Sequence, residues 1–225
     1  MLLELQEGNK GRCTVLLDGE VYCRCYRKDL QSVGISEGEE AGEAALFRLN
    51  QEVLFPRAKR RSLLLLNKKR YTRQEMVKKL KSDGYPEQTV EETLSYLQEL
   101  HYIDDISYAQ GYASFWIPKC SARELYQKML QKGFERETVS EAIKEAQREY
   151  VLEKGEEEEE GESPELSAIR DYLRKKGYQS GQVAEEKRKK LAAALYRKGF
   201  SFSDIKRVMG EFDEITENGE NFITP

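Results

Sequence analysis

Nearly the same string occurs three times in this chain: SDGYPEQTV (Ser82–Val90), QKGFERETV (Gln131–Val139) and RKGFSFSDI (Arg197–Ile205). Count from Gly84, Gly133 and Gly199 as zero. Position +1 is then Tyr85, Phe134 and Phe200, and +6 is Val90, Val139 and Ile205. Position +10 is Leu94, Ile143 and Met209, and +13 is Leu97, Ala146 and Phe212. Steps of four and three keep the last three positions on one helix face. At −4 stand Leu80, Met129 and Leu195, so an apolar helix face also precedes each glycine. Twelve residues before the first two glycines, Thr72 and Ser121 are each followed at the third residue by Glu75 and Glu124. That spacing is the capping box, twice in register. The third copy has Lys187 there, so its helix is expected to start earlier, near Ser180 to Val183. Each unit therefore reads as a capped helix, a glycine stop sealed by an aromatic, and a second amphipathic helix. A further helix precedes each pair, over Arg57–Lys68, Asp104–Ile117 and Pro164–Lys176.

The expected fold class is mainly α: tandem three-helix, helix-turn-helix-like repeats, elongated, behind a small N-terminal β-hairpin. The hairpin comes from TVLLDGEVYCRC, where Asp18-Gly19 separates two runs of β-formers. Residues 1 to about 35 read as β, a helix follows over Ala44–Phe55, and Pro56 is expected to end or re-aim it. The expected division is 1–43 hairpin extension and linker, 44–103 lead-in helix and first repeat, 104–150 second repeat, 151–163 acidic linker, 164–213 third repeat and 214–225 tail.

Composition supports thin helical layers over one deep core. Hydrophobic residues make up 39% of the 225 and charged residues 35%, against usual values of about 45–50% and about 25%. No apolar run is long enough to span a membrane, and the N-terminus lacks signal-peptide order, so a cytoplasmic protein is expected. The net charge of −4 conceals segregation. Arg57–Lys81 holds eleven basic residues and one acid, and Arg170–Arg207 holds twelve and four. Glu153–Glu165 holds eight acids and one lysine. Local fields of that kind decide partners, and the overall charge does not.

Basic clusters on helices, with Tyr71, Tyr196 and Phe200 nearby, suit phosphate contacts and base stacking. The competing reading makes the charges solvated helix faces, with the glycine-flanking aromatics folded onto their own helices. In YIDDISYAQGY, Asp104 or Asp105 is placed to cap the next helix, with Ile106, Ala109 and Ala113 facing inward. No third ligand accompanies the paired aspartates, and His101, the sole histidine, sits at a helix end. Cys23 and Cys25 share a strand face and Cys13 fits a neighbouring strand, as buried or free thiols along with Cys120. No nucleotide, nucleophile or zinc motif occurs, so neither an enzyme nor a cofactor or metal is expected.

The stretch RSLLLLNKKRYTRQEMVKKLKSDGYPEQTVEETLSYLQELHYIDDISYAQGYA, with the later SARELYQKMLQKGFERETV and LYRKGFSFSDI, resembles the RecX family, bacterial regulators of the RecA recombinase. The N-terminal LLDGEVYCRC segment is similar to a hairpin extension of Gram-positive members. The resemblance implies tandem three-helix repeats along a RecA–DNA filament, acting in recombination, DNA repair and the SOS response. It implies RecA, the RecA–single-stranded DNA filament and DNA itself as partners of a monomer. Tyr102, Asp104, Asp105, Tyr108, Ala109 and Tyr112 fall on signature positions, mostly structural. Arg57, Lys59, Arg60, Arg61, Arg73, Lys78, Lys79, Arg123, Lys128, Lys187, Arg188, Lys190, Arg197 and Lys198 are the expected filament- or DNA-facing residues. Members commonly carry a Gly-rich basic stretch where this chain has FWIPKC. Two alternatives stay open: a helix-turn-helix regulator reading duplex DNA, and a helical scaffold without nucleic-acid contact.

Overall fold

The computed structural model describes residues 1–8, 11–155, 163–178 and 185–210. The chain divides into two compact units, Met1–Asp104 and Asp105–Pro225.

The first unit opens with strands β1 (Leu3–Glu7), β2 (Arg12–Leu17) and β3 (Glu20–Tyr26), an antiparallel sheet in sequence order. The hairpin turn forms at the expected dipeptide: Asp18 and Gly19 have φ of 50° and 82°, the twist a tight two-residue turn needs. β1 adds a third strand to the expected hairpin. Cys13 pairs in register with Cys25, and a bulge falls between Val15 and Leu16 opposite Tyr22. Helix α1 (Arg27–Ser32) follows at once, within the stretch read from sequence as β. Asp29 holds the Tyr26 backbone N–H at 2.8 Å, closing that turn.

Helix α2 (Glu43–Arg48) passes through a π-helical turn (Leu49–Leu54) into α3 (Phe55–Leu66). Pro56, expected to end or re-aim this helix, does not end it. It lies in the first turn of α3, and the Phe55 N–H reaches back five residues to the Asn50 carbonyl. The wider turn accommodates a ring with no N–H to give. The π-turn also buries Asn50, which donates to Glu92 at 2.8 Å and accepts from the buried Thr89 hydroxyl.

Helices α4 (Arg73–Asp83) and α5 (Glu87–Glu99) complete the first repeat with α3. The capping box forms: the Thr72 hydroxyl accepts from the Glu75 N–H at 3.1 Å, and the Glu75 carboxylate accepts from the Thr72 N–H at 3.0 Å. Met76, Leu80, Val90, Leu94 and Leu97 are fully buried together, each such side chain contributing about 1.5–3 kcal/mol by leaving water. Tyr85 packs against both this core and the sheet's own core.

In the second unit, α6 (Asp105–Trp116), a 3-10 turn (Ile117–Lys119), α7 (Ala122–Lys132) and α8 (Arg136–Gly155) form the second repeat. Helix α8 runs to Gly155, into the stretch expected as linker. The buried stripe of α6 is Ala109 and Ala113, continued by Ile117 at the start of the 3-10 turn. Ile106, expected to face inward, is 65% exposed, because a stripe of strict four-residue steps passes through Asp105 instead. Helices α9 (Pro164–Lys175), α10 (Glu185–Arg197) and α11 (202–210) pack around Ile169, Leu173, Leu195 and Val208. The start of α10 expected near Ser180–Val183 and the +13 position Phe212 lie outside the described residues.

All three repeat glycines have φ of 94° to 97°. In each, the following aromatic N–H donates to the carbonyl at −4: Tyr85 to Leu80, Phe134 to Met129 and Phe200 to Leu195, at 3.2, 3.2 and 3.3 Å. This is the Schellman closure, with glycine where an L side chain is strained. The closure recurs with an aromatic at Gly177-Tyr178 and His101-Tyr102, and with an aliphatic at Gly34-Ile35. His101 takes φ 56° in glycine's place, with its N–H on the Gln98 carbonyl.

Candidate nucleic-acid interface

The second unit joins its two repeats through the N-terminus of α7. Ser121, buried, accepts from the Glu124 N–H at 3.1 Å and donates its own hydroxyl proton to the Lys198 carbonyl at 2.5 Å. The second capping box is only half formed. The Glu124 carboxylate turns away from the Ser121 N–H to pair with Lys128 at 2.8 Å and approach Lys198 at 3.6 Å. Glu165, from the start of α9, supplies a carboxylate to the Ala122 N–H at 3.0 Å instead. An acid from a later repeat thus serves the positive end of α7. Gly199 makes the junction possible, because a Cβ there would stand 2.9 Å from Ser121 Oγ and 3.0 Å from Arg123 Cβ.

This junction leaves a groove of about 590 Å³ between α7 and the end of α10. Arg123, Lys128, Arg197 and Lys198 bring four positive charges to it, against the single carboxylate of Glu124. Glu124 raises the Lys128 pKa through their hydrogen bond, so the ammonium stays charged at any ordinary pH. Tyr196 stands at the groove, 65% exposed as a residue, and Gln127 and Gln131 add neutral donors along α7. Cations beside an exposed ring are the chemistry that holds a single nucleic-acid strand. Of the three aromatics singled out with the basic clusters, only Tyr196 is available for this. Tyr71 and Phe200 are core side chains.

The remaining expected cations are spread over both units. In the first, Arg57, Arg60 and Arg61 line one cleft, where Arg57 pairs with Asp29 and Arg61 meets Asp83 at 2.7 Å. Lys59 is occupied over the Phe55 and Tyr96 rings, 4.4 and 4.7 Å from their centres. Arg73 pairs with Glu91 at 2.5 Å, whereas Lys78 and Lys79 are exposed on α4. In the second unit, Lys187, Arg188 and Lys190 are exposed on the first turns of α10. The signature positions divide by burial. Ala109 is fully buried, while Tyr108 and Tyr112 pack edge to face at 6.3 Å against each other and flank Phe134. Asp105 opens α6, Asp104 precedes it, and Tyr102 is exposed. Sequence reasoning missed Gln127 and Gln131, although their four-residue steps from Arg123 place all three on one face of α7. It also missed Arg12 and Arg24 of the sheet, which no helical period could reveal.

All four cysteines are buried and free. Among the described residues no group of three or more His, Cys, Asp or Glu could hold a metal ion, and no helix is long and apolar enough to cross a membrane.

Fold and groove together define a protein of tandem three-helix repeats with basic faces on the helices beside each glycine turn. Residues 58–97 match the first three-helix domain of RecX, and residues 164–209 match the third. These two matches, with the relatives that follow, support the RecX family of regulatory proteins. Regulatory protein RecX of Clostridioides difficile is 25% identical over 220 residues, covering 94% of this chain and 96% of that protein. Regulatory protein RecX of Caldanaerobacter subterraneus is 28% identical over 132 residues, 58% of this chain and 66% of its own length. Two solved structures share the fold. One, of regulatory protein RecX, has a TM-score of 0.54 at 24% identity over 93% of this chain and 97% of its own. The other, RecX from Lactobacillus salivarius, has a TM-score of 0.53 at 20% identity over 71% and 97%.

Proposed function

We propose that this protein is a non-enzymatic, monomeric, cytoplasmic regulator that binds RecA and the RecA–single-stranded DNA filament. By doing so it lowers RecA's ATPase, filament growth and strand exchange in recombination and repair. The observation that carries the reading is the groove of Arg123, Lys128, Arg197 and Lys198 beside exposed Tyr196, in a chain that matches two RecX domains. Four cations around one groove favour a polyanion, and the ring adds contact that does not depend on base identity. Duplex reading by a helix-turn-helix fits less well. The helix that would enter a groove exposes Glu87, Glu91 and Glu99 on α5, and Glu137, Glu141, Glu145 and Glu149 on α8.

The test is RecA's ATPase on single-stranded DNA, titrated with this protein. Wild type is expected to lower the rate, and Arg123→Glu with Arg197→Glu to need roughly tenfold more protein for the same effect, with weaker dependence on salt. A rate that wild type leaves unchanged at any concentration defeats the proposal.

A further inference from the structure

The first unit holds a second basic site, of which the sequence showed only one wall. Arg12 of β2, Arg24 of β3 and Arg57, Arg60 and Arg61 of α3 converge on a single cleft of about 700 Å³. We infer that this cleft holds the phosphodiester backbone of a single DNA strand, so that the N-terminal sheet is half of a DNA-binding site.

The charge balance points that way. Asp29 takes up Arg57 and Asp83 takes up Arg61, which leaves Arg12, Arg24 and Arg60 with no ion pair among the described residues. Among the described residues, the Arg12 side chain donates to the Tyr26 hydroxyl at 3.3 Å and the Arg24 side chain to the Ser82 carbonyl at 3.5 Å, both neutral acceptors. Three surplus guanidiniums around one cleft repel each other, and an anion between them removes that cost. Guanidinium is the side chain that grips phosphate oxygens through two parallel N–H bonds.

The sheet arginines are also held in place before any ligand arrives. The Arg24 N–H donates to the Gly84 carbonyl at 2.8 Å, and the side-chain stem of Arg24 crosses that glycine. A Cβ on Gly84 would lie 2.7 Å from Arg24 Cβ, Cγ and Cδ. The same glycine that ends α4 therefore seats an arginine from the sheet. On the other side, Arg12 and Arg57 both lie over the Tyr26 ring, 5.6 and 5.3 Å from its centre. With its ring already covered by cations, Tyr26 orients guanidiniums and offers no stacking face to a base. The cleft thus reads phosphates and is indifferent to sequence.

The choice of single-stranded DNA over an acidic peptide rests on the filament reading above, so the two are tested separately. Fluorescence anisotropy of labelled oligo(dT) with this protein alone, without RecA, reads the cleft. Arg12→Gln with Arg24→Gln keeps most of the stem packing and is expected to weaken binding roughly tenfold or more and to flatten the salt dependence by about one to two phosphates. Arg60→Gln, an exposed residue whose loss does not disturb the sheet, is expected to weaken binding about threefold or more. Unchanged affinity in both variants overturns the inference. So does polyglutamate binding that depends on these arginines while oligo(dT) binding does not. Wild type that binds oligo(dT) through these arginines yet leaves RecA's ATPase untouched sinks the filament reading and upholds the cleft. Variants that suppress the ATPase as wild type does and bind oligo(dT) as wild type does sink the cleft and uphold the filament reading.

Discussion

Gly84 serves two physical ends, and replacing it by alanine tests both. Its φ of 94° lies beyond the left-handed region that L residues visit, roughly +50° to +70°. A side chain there costs about 1–2 kcal/mol, less about 0.4–1 kcal/mol recovered because alanine is stiffer than glycine when unfolded. The new Cβ would also stand 2.7 Å from the Arg24 stem, an overlap that forces a shift costing about 1–3 kcal/mol. The expected loss is about 1–4.5 kcal/mol, centred near 3 kcal/mol. Gly177 supplies the control: its φ is 62°, inside the left-handed region, and a Cβ there would meet nothing within 4 Å. Gly177→Ala should cost no more than about 1 kcal/mol, from backbone strain alone. Urea titrations followed by far-UV circular dichroism measure both, with Trp116 fluorescence as a second probe for the unit that contains Gly177. At the usual m-value of about 1–3 kcal/mol/M, Gly84→Ala should lower its midpoint by about 1–2 M. A loss for Gly84→Ala no larger than that for Gly177→Ala would refute the close packing of Arg24 on the turn.

His101 reverses the argument. It occupies a glycine-type position with φ 56°, so His101→Gly should stabilise the first unit by about 0.5–1 kcal/mol in the same titration; a loss would mean that the imidazole makes a contact outweighing the strain. Alkaline pH should weaken the sheet through its thiols. Burial pushes the Cys13 pKa up to about 12, and that of Cys25 also rises, chiefly through its hydrogen bond with Cys23. An unfolded thiol ionises near 8.5, so the stabilisation is complete below that pH and is lost as pH climbs through the folded value. The thermal midpoint of wild type should therefore fall more steeply between pH 8.5 and pH 10 than that of Cys13→Ala, and parallel slopes would rule the thiol out.

The helices of the repeats, their order and the glycine corners were legible in the sequence because they depend on residues near one another in the chain, whereas α1 fell in a stretch read as β. A Schellman turn needs a glycine and a carbonyl four residues before it, and an amphipathic face needs only its own period. The first capping box was legible for the same reason, since Thr72 and Glu75 complete each other. The second was not, because its glutamate pairs with Lys128 one turn on and approaches Lys198, while its helix end is served by Glu165, and both Glu165 and Lys198 are distant in the chain. Pro56 misled for a related reason. Proline forbids one local hydrogen bond, but whether the helix stops depends on the burial that rewards a π-turn, here Leu49, Asn50, Val53 and Leu54.

The basic residues show the same division. Their clustering along the chain was plain, and it pointed to both the α3 arginines and the end of α10. Which of them lie together is a matter of tertiary structure. Arg123 and Lys198 meet only because Gly199 lets α10 end against α7. Arg12 and Arg24 reach the α3 arginines only because the sheet docks on the Gly84 turn. By itself the sequence determined the repeats and the sign of their charge, since propensity, capping and periodicity act over a few residues. The surfaces on which those charges gather were decided by packing between distant segments, which no local pattern encodes.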